Sequence, residues 1–247
     1  MPNPSHDHRT IRQVAIVTGA SRGLGLALAG ALADQGWSLV IDARGTEALA
    51  DAGAELTRRA TNGERVEALP GSVADPAHRE ELVAAADRLG TLRLLVNNAG
   101  ILGPSPLPPL ANLGPGAYRE ILEIGTIAPL ALTQRALPLL RANAGAVLNV
   151  TSDAAREPYE GWGGYGSAKA ALEQLSNILA AEEPDVAVWW VDPGDLRTRM
   201  HQEAFPGEDI SDRPLPDTVV PAFLDLIERR LPSGRYRAPD LVGAVAS

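Results

Sequence analysis

Short apolar runs rich in β-branched residues alternate along this chain with stretches whose apolar positions recur every three or four residues. The runs predict strands at Gln13–Thr18, Ser38–Asp42, Val66–Pro70, Leu94–Asn97, Ala146–Val150 and Val186–Val191. The helical pattern falls between them, at Leu24–Gln35, Thr46–Arg59, Asp75 to Leu89, Ala117–Arg141 and Trp162–Glu182, with a last helix at Thr218–Arg230. Asp75 reads as an N-cap, with Pro76 in the first helical position. Pro129 and Pro138 fall inside the long pattern beginning at Ala117, and a Pro/Gly-rich loop, 103–116, precedes it. A short segment around Tyr236 closes the pattern. Continuously apolar strands alternating with helices predict a parallel sheet covered on both faces. Right-handed crossovers then give a doubly wound α/β fold of about seven strands. No composition shift or repeat marks a second domain. The expectation is one domain over 13–247 behind a flexible leader, 1–12, with the polar, irregular stretch 195–215 as a substrate lid.

Composition narrows the possible functions. The 247 residues carry a net charge of -9, which argues against a nucleic-acid binder needing clustered Lys and Arg. There is no cysteine, which excludes disulfides, thiolate metal sites and a cysteine nucleophile. The leader has no apolar core of a secretory signal, and no apolar run reaches about eighteen residues. Cytoplasmic location is the default expectation. His6 and His8 flank Asp7 in the leader, while His78 and His201 have no ligand cluster nearby, so no metal is expected.

The chemistry lies in two places. Glycines 19, 23 and 25 follow the first strand and open the first helix. Gly19 permits the turn, Gly23 lets backbone approach a pyrophosphate, and Gly25 lets the helix pack closely. The helix N-terminus then offers free N–H groups and a positive dipole to phosphates. This is a Rossmann-type dinucleotide site, with Gly19, Ser21, Arg22, Gly23, Leu24 and Gly25 as its expected contacts. At the end of the second strand, Asp42 falls one residue early for a ribose 2′-hydroxyl and Ala43 takes the acidic position. Arg44 and Arg22 suit a 2′-phosphate, so NADP(H) is the expected cofactor. The alternative has Arg44 on the surface and Asp42 turned in to accept the ribose. The second place is Tyr165 and Lys169, one helical turn apart on one face, with Ser152 upstream. A lysine charge beside the phenol is expected to lower its pKa and fit it for proton transfer. Ile101, Leu102, Pro104, Trp162 and Met200 are candidate walls of an apolar substrate pocket.

Five separated motifs in this order, Thr18–Gly25, Asn97-Asn98-Ala99-Gly100, Ser152, Tyr165-x3-Lys169 and Pro193-Gly194 with Thr198, resemble the short-chain dehydrogenase/reductase family. The nearest likeness is to NADP(H)-dependent carbonyl and 3-oxoacyl reductases. The resemblance implies Tyr165 as acid/base, Lys169 on the nicotinamide ribose and Ser152 on the substrate oxygen. It implies Asn98, Ala99 and Gly100 along the cofactor ribose, Asn97 as a tie between strands, and Pro193, Leu196 and Thr198 at the nicotinamide end. Ser72 and Val73 stand where the family commonly has Asp-Val on the adenine. Gly125 replaces the asparagine that, in the family, holds a water linking the lysine to solvent. An extra water beside Gly125, or Thr126, is then expected to replace that relay; the alternative is slow turnover. A homodimer or homotetramer through 117–141 and 162–182 is implied as well. The expected function is hydride transfer between nicotinamide and a carbonyl or secondary alcohol of a hydrophobic small molecule. A catalytically weak cofactor-binding regulator, or an epimerase or dehydratase on the same scaffold, is the alternative.

Overall fold

The computed structural model describes residues 12–60 and 63–245. The leader, with His6 and His8, lies outside them. Seven strands, β1 (Gln13–Val17), β2 (Ser38–Ala43), β3 (Val66–Pro70), β4 (Thr91–Asn97), β5 (Ala146–Val150), β6 (Ala187–Asp192) and β7 (Gly234–Arg237), form one sheet in the order 3-2-1-4-5-6-7. Every pairing is parallel. The helices are α1 (Gly23–Asp34), α2 (Thr46–Arg59), α3 (Pro76–Leu89), α4 (Pro115–Leu122), α5 (Ala128–Ala142), α6 (Gly163–Glu182), α7 (Arg199–Ala204), α8 (Val220–Arg229) and α9 (Ala238–Val245). The predicted doubly wound fold is the observed one. The Tyr236 segment is its seventh strand, and Asp75 caps α3 by accepting from the Ala77 N–H at 2.9 Å.

The alternation of side chains along each strand divides the core in two. Ala15 and Val17 join Leu28, Leu39 and Phe223 on one face of the sheet. Val14 and Ile16 join Leu82, Leu95 and Leu132 on the other. The adjacent Trp189 and Trp190 of β6 divide the same way, and Trp189 donates its indole N–H to the Leu231 carbonyl. The buried Asn97 amide donates to Asn149 Oδ1 at 2.8 Å across the β4–β5 pair, and Asn149 donates to Ser176 Oγ at 2.7 Å on α6. Asn97 is thus the tie between strands that its position implied.

The long helix expected over Ala117–Arg141 is interrupted. Glu123–Ile127 forms a π-helical turn between α4 and α5, in which the N–H of Ala128 reaches back to Glu123. Pro129 explains the change of register, because it has no N–H to give the Gly125 carbonyl four residues earlier. Pro138 is accommodated inside α5. The stretch 195–215 is less irregular than expected, since it contains α7, capped by Thr198.

Candidate active site

β1 lies between β2 and β4, and the chain crosses from one half of the sheet to the other there. That crevice, at the carboxyl ends of the strands, is where doubly wound folds bind ligands. Gly19 turns the chain off β1 with φ of 67°, a conformation that favours glycine, and a Cβ there would lie 2.9 Å from the Ala99 backbone. Its N–H donates to Asp42 Oδ1 at 2.8 Å, and Asp42 Oδ2 lies 3.1 Å from His78 Nε2. Asp42 is buried, and both its oxygens are engaged beneath the turn rather than facing a ribose. His78, which has no metal-ligand cluster near it in the sequence, is that second contact. Thr18 Oγ1 accepts from the N–H groups of Asn98 and Ala99, each at 3.0 Å. The Asn98 amide donates to the carbonyls of Thr18 and Gly19. The Asn98 side chain therefore holds the turn.

Ser152 follows β5, and Tyr165 and Lys169 stand on the first turns of α6. Gly166 lets these elements meet, since a Cβ there would sit 2.4 Å from the Ala154 carbonyl oxygen. Lys169 is buried and donates from Nζ to the Val150 carbonyl at 2.7 Å, with Nζ 5.5 Å from the centre of the Tyr165 ring. Burial brings its pKa down to about 8. The Tyr165 phenol is pushed up instead, first by burial and then by the charges of Asp192 and Asp153. The expected lowering of Tyr165 is not what this arrangement produces, because burial raises the phenol most, Asp192 and Asp153 add to it, and the amine is turned to a carbonyl. Ser152 donates to Asp153 Oδ1 at 3.0 Å, and Tyr159 donates to Asp153 Oδ2 at 3.0 Å.

Behind these groups lies a buried ionic junction. Glu173, one turn beyond Lys169 on α6, accepts from Thr151 at 3.0 Å, Arg156 at 3.0 Å and Arg235 at 2.8 Å. Arg235, on β7, also lies 3.3 Å from Asp192 Oδ2 and 3.5 Å from the Ser152 carbonyl. Asp192 Oδ1 in turn accepts the Gly194 N–H at 3.0 Å, setting the loop that carries Pro193. Nothing in the sequence pattern singled out this set, because its members come from four separate segments.

One cleft of about 1190 Å3 collects nearly all the candidate residues. Gly19, Ser21, Arg22, Gly23, Leu24, Arg44, Ser72 and Val73 line one end. Asn98, Ala99, Gly100, Ser152, Tyr165, Lys169, Pro193, Leu196 and Thr198 continue the lining, with Ile101, Leu102, Trp162 and Met200. Gly25 and Pro104 do not line it. Gly25 serves packing, since a Cβ would meet Asn98 Nδ2 at 2.4 Å and the Gly19 carbonyl oxygen at 2.6 Å. Asp153, Tyr159, His201 and Phe205 were missed, and only the tertiary structure brings them to the wall. At α1 no side chain caps the first turn, which leaves its N–H groups to meet phosphate oxygens. Glycine backbone, uncapped helix and arginines fit a dinucleotide in both shape and charge.

A family model described as short chain dehydrogenase matches residues 13–209. Bovine (Bos taurus) sepiapterin reductase is 35% identical over 204 residues, covering 78% of this chain and 76% of its own. A rhamnolipid-biosynthesis 3-oxoacyl-[acyl-carrier-protein] reductase of Pseudomonas aeruginosa is 31% identical over 243 residues, 95% of this chain and 87% of its own. Among solved structures, an alcohol dehydrogenase of Thermococcus sibiricus complexed with 5-hydroxy-NADP superposes with a TM-score of 0.81 at 28% identity, covering 92% of this chain and 95% of its own. A short chain dehydrogenase of Escherichia coli CFT073 complexed with NADPH gives 0.83 at 27%, covering 92% and 96%. The chain belongs to the short-chain dehydrogenase/reductase family of oxidoreductases.

The buried Lys169 makes a testable contribution to stability. Its folded pKa of about 8 lies below the ordinary 10.5, so between these values the unfolded chain binds more protons and stability rises with pH. Replacing it by Met in Lys169→Met removes this dependence. Urea unfolding of both proteins between pH 8 and about pH 10 should show the variant's advantage shrinking as pH rises, by up to about 3 kcal/mol. A difference that stays constant with pH would mean the amine titrates at its ordinary value.

Proposed function

We propose that the protein is an NADP(H)-dependent oxidoreductase acting on a carbonyl, or the corresponding secondary alcohol, of a largely apolar small molecule. The observation that carries this is the meeting of Ser152, Tyr165 and Lys169 in the cleft that also holds the glycine turn. When bound, the nicotinamide supplies the hydride that forms the new C–H bond. Ser152 and Tyr165 hold the carbonyl oxygen, where charge gathers as the double bond opens. The raised phenol stays protonated at neutral pH, so Tyr165 gives its proton to that oxygen and leaves an alcohol. Lys169, fixed by Val150, keeps a cationic donor beside the resulting phenolate. Ile101, Leu102, Trp162, Met200 and Phe205 give the pocket its apolar wall.

Three features support NADP(H) over NAD(H). Asp42 is buried and engaged by Gly19 and His78, which removes the ribose-accepting alternative. Arg22 and Arg44 are exposed at the same end of the cleft and form no ion pair among the described residues. Similar solved structures hold NADP or NADPH.

Neither replacement for the family's proton relay is favoured by the geometry around Gly125. Thr126 donates its hydroxyl to the Ala168 carbonyl at 2.9 Å. A Cβ on Gly125 would meet Ala168 Cβ at 3.3 Å, so the glycine serves close packing of the π-helical turn on α6 rather than opening space. The exposed Ile127, Leu130 and Ile178 on the α5 and α6 side support self-association there.

Three outcomes are expected. Tyr165→Phe should keep NADPH binding near that of the wild type and lose most turnover across a panel of ketones, aldehydes and quinones; full turnover would end the proposed role of the phenol. Wild type should show a higher kcat/KM with NADPH than with NADH, and Arg44→Ala should narrow the gap by about tenfold or more. Light scattering should give a multiple of the 26.0 kDa chain mass. A monomer would remove the association reading.

A further inference from the structure

Asp153 stands beside the reacting groups without a counter-ion. Its two carboxylate oxygens accept hydrogen bonds from hydroxyls, Ser152 on one and Tyr159 on the other. No Lys, Arg or His among the described residues lies within ion-pair distance of it. The neighbouring carboxylates differ. Asp192 is shared by Arg235 and Arg237, and Glu173 by Arg156 and Arg235. Asp195, at the mouth, lies within 4.0 Å of both His201 and Arg213. Asp153 and the exposed Glu160 line the cleft without a counter-ion among the described residues, and of the two Asp153 is the one hydrogen-bonded to Ser152.

The wall around it is aromatic. Trp162 sits edge-on between Tyr159, at 6.4 Å, and Tyr165, at 5.7 Å, and lies 6.1 Å from Phe205. His201, whose side chain is 9% exposed, packs 4.9 Å from Phe205 and has no hydrogen-bond partner for Nε2 among the described residues. Ring faces attract cations. A carboxylate without a counter-ion and an electron-rich wall are two separate features that favour the same kind of ligand group.

We propose that the substrate carries a protonated amine close to the reacting carbon, as in an amino ketone and its amino alcohol. Asp153 then receives the ammonium, while Tyr159 and Trp162 flank it. This deepens the reductase reading and rests on it for the placement of the carbonyl at Ser152 and Tyr165. It also gives the anion at Asp153 a use. Left alone, that charge opposes negative charge growing on the nearby substrate oxygen, and an ammonium held between them reverses the effect.

The probes are ω-(dimethylamino)acetophenone and isovalerophenone, of nearly equal shape, the first charged and the second neutral. At a pH where the amine is protonated, wild-type kcat/KM should favour the charged ketone about tenfold or more. Calorimetry of the NADPH-loaded enzyme with the corresponding alcohols should show a matching preference in affinity. Asp153→Asn should abolish both preferences, and Asp153→Glu, which keeps the charge, should retain part of them. Equal treatment of the two probes by the wild type, or a preference that survives Asp153→Asn, would overturn the proposal. If neither ketone is reduced yet the amino alcohol binds preferentially through Asp153, the reductase reading fails and charge recognition stands. If neither is reduced and both alcohols bind alike, both fail.

Discussion

The half of this molecule that carries Ser152, Tyr165 and Lys169 depends on one arginine, whose side chain is 14% exposed. Arg235 reaches Glu173 of α6, Asp192 at the end of β6 and the carbonyl of Ser152 after β5. Glu173 and Asp192 are both buried; Arg156 and Arg237 each pair with one of them from a more exposed position, and Arg235 is the cation that joins the two. The arginine therefore fixes three chain segments relative to one another. Those segments carry Ser152, the Tyr165–Lys169 helix and the Pro193 loop. β7, whose sequence is only Gly-Arg-Tyr-Arg, belongs to the functional architecture for this reason.

A second buried carboxylate organises the other half. Asp42 accepts the Gly19 N–H and faces His78, while Thr18, just after β1, and Asn98, just after β4, bond to each other across the same turn. These groups shape the turn before any ligand arrives, so the backbone that must approach a pyrophosphate is already ordered. The same use of Asp42 removes a carboxylate from the ribose end of the cleft and leaves Arg22 and Arg44 to set its charge. Asp42 thus takes part both in ordering the turn and in the charge of the ribose end.

The helix carrying Tyr165 shows how close packing and chemistry constrain each other. Gly166 and Gly125 allow backbone and helix to approach where a side chain would push them apart. The close approach buries Lys169 and half-buries Tyr165, and removal from water moves both toward their neutral forms. A neutral, protonated phenol is a proton donor, the role we propose for Tyr165.

Much of this was legible along the chain. Strand and helix order, the glycine turn, the cap at Asp75 and the pairing of Tyr165 with Lys169 are local patterns, set by side-chain alternation, helical spacing and backbone freedom. Asn97 as a tie between strands could be read because strand ends in a parallel sheet have predictable neighbours. The break of the long helix was half visible, since Pro129 was in the pattern but its π-helical resolution depends on packing against α6. What the sequence could not show were contacts between distant segments: Asp42 with His78, Glu173 with Arg235, and Trp162 with Phe205. Nor could it show that Lys169 turns to the Val150 carbonyl rather than governing the phenol. Local propensity acts over a few residues, so it determined the elements and the residue types of the site. Solvation and charge act through space, so the protonation state of Tyr165, the engagement of Asp42 and the shape of the pocket were decided only once the sheet had brought these residues together.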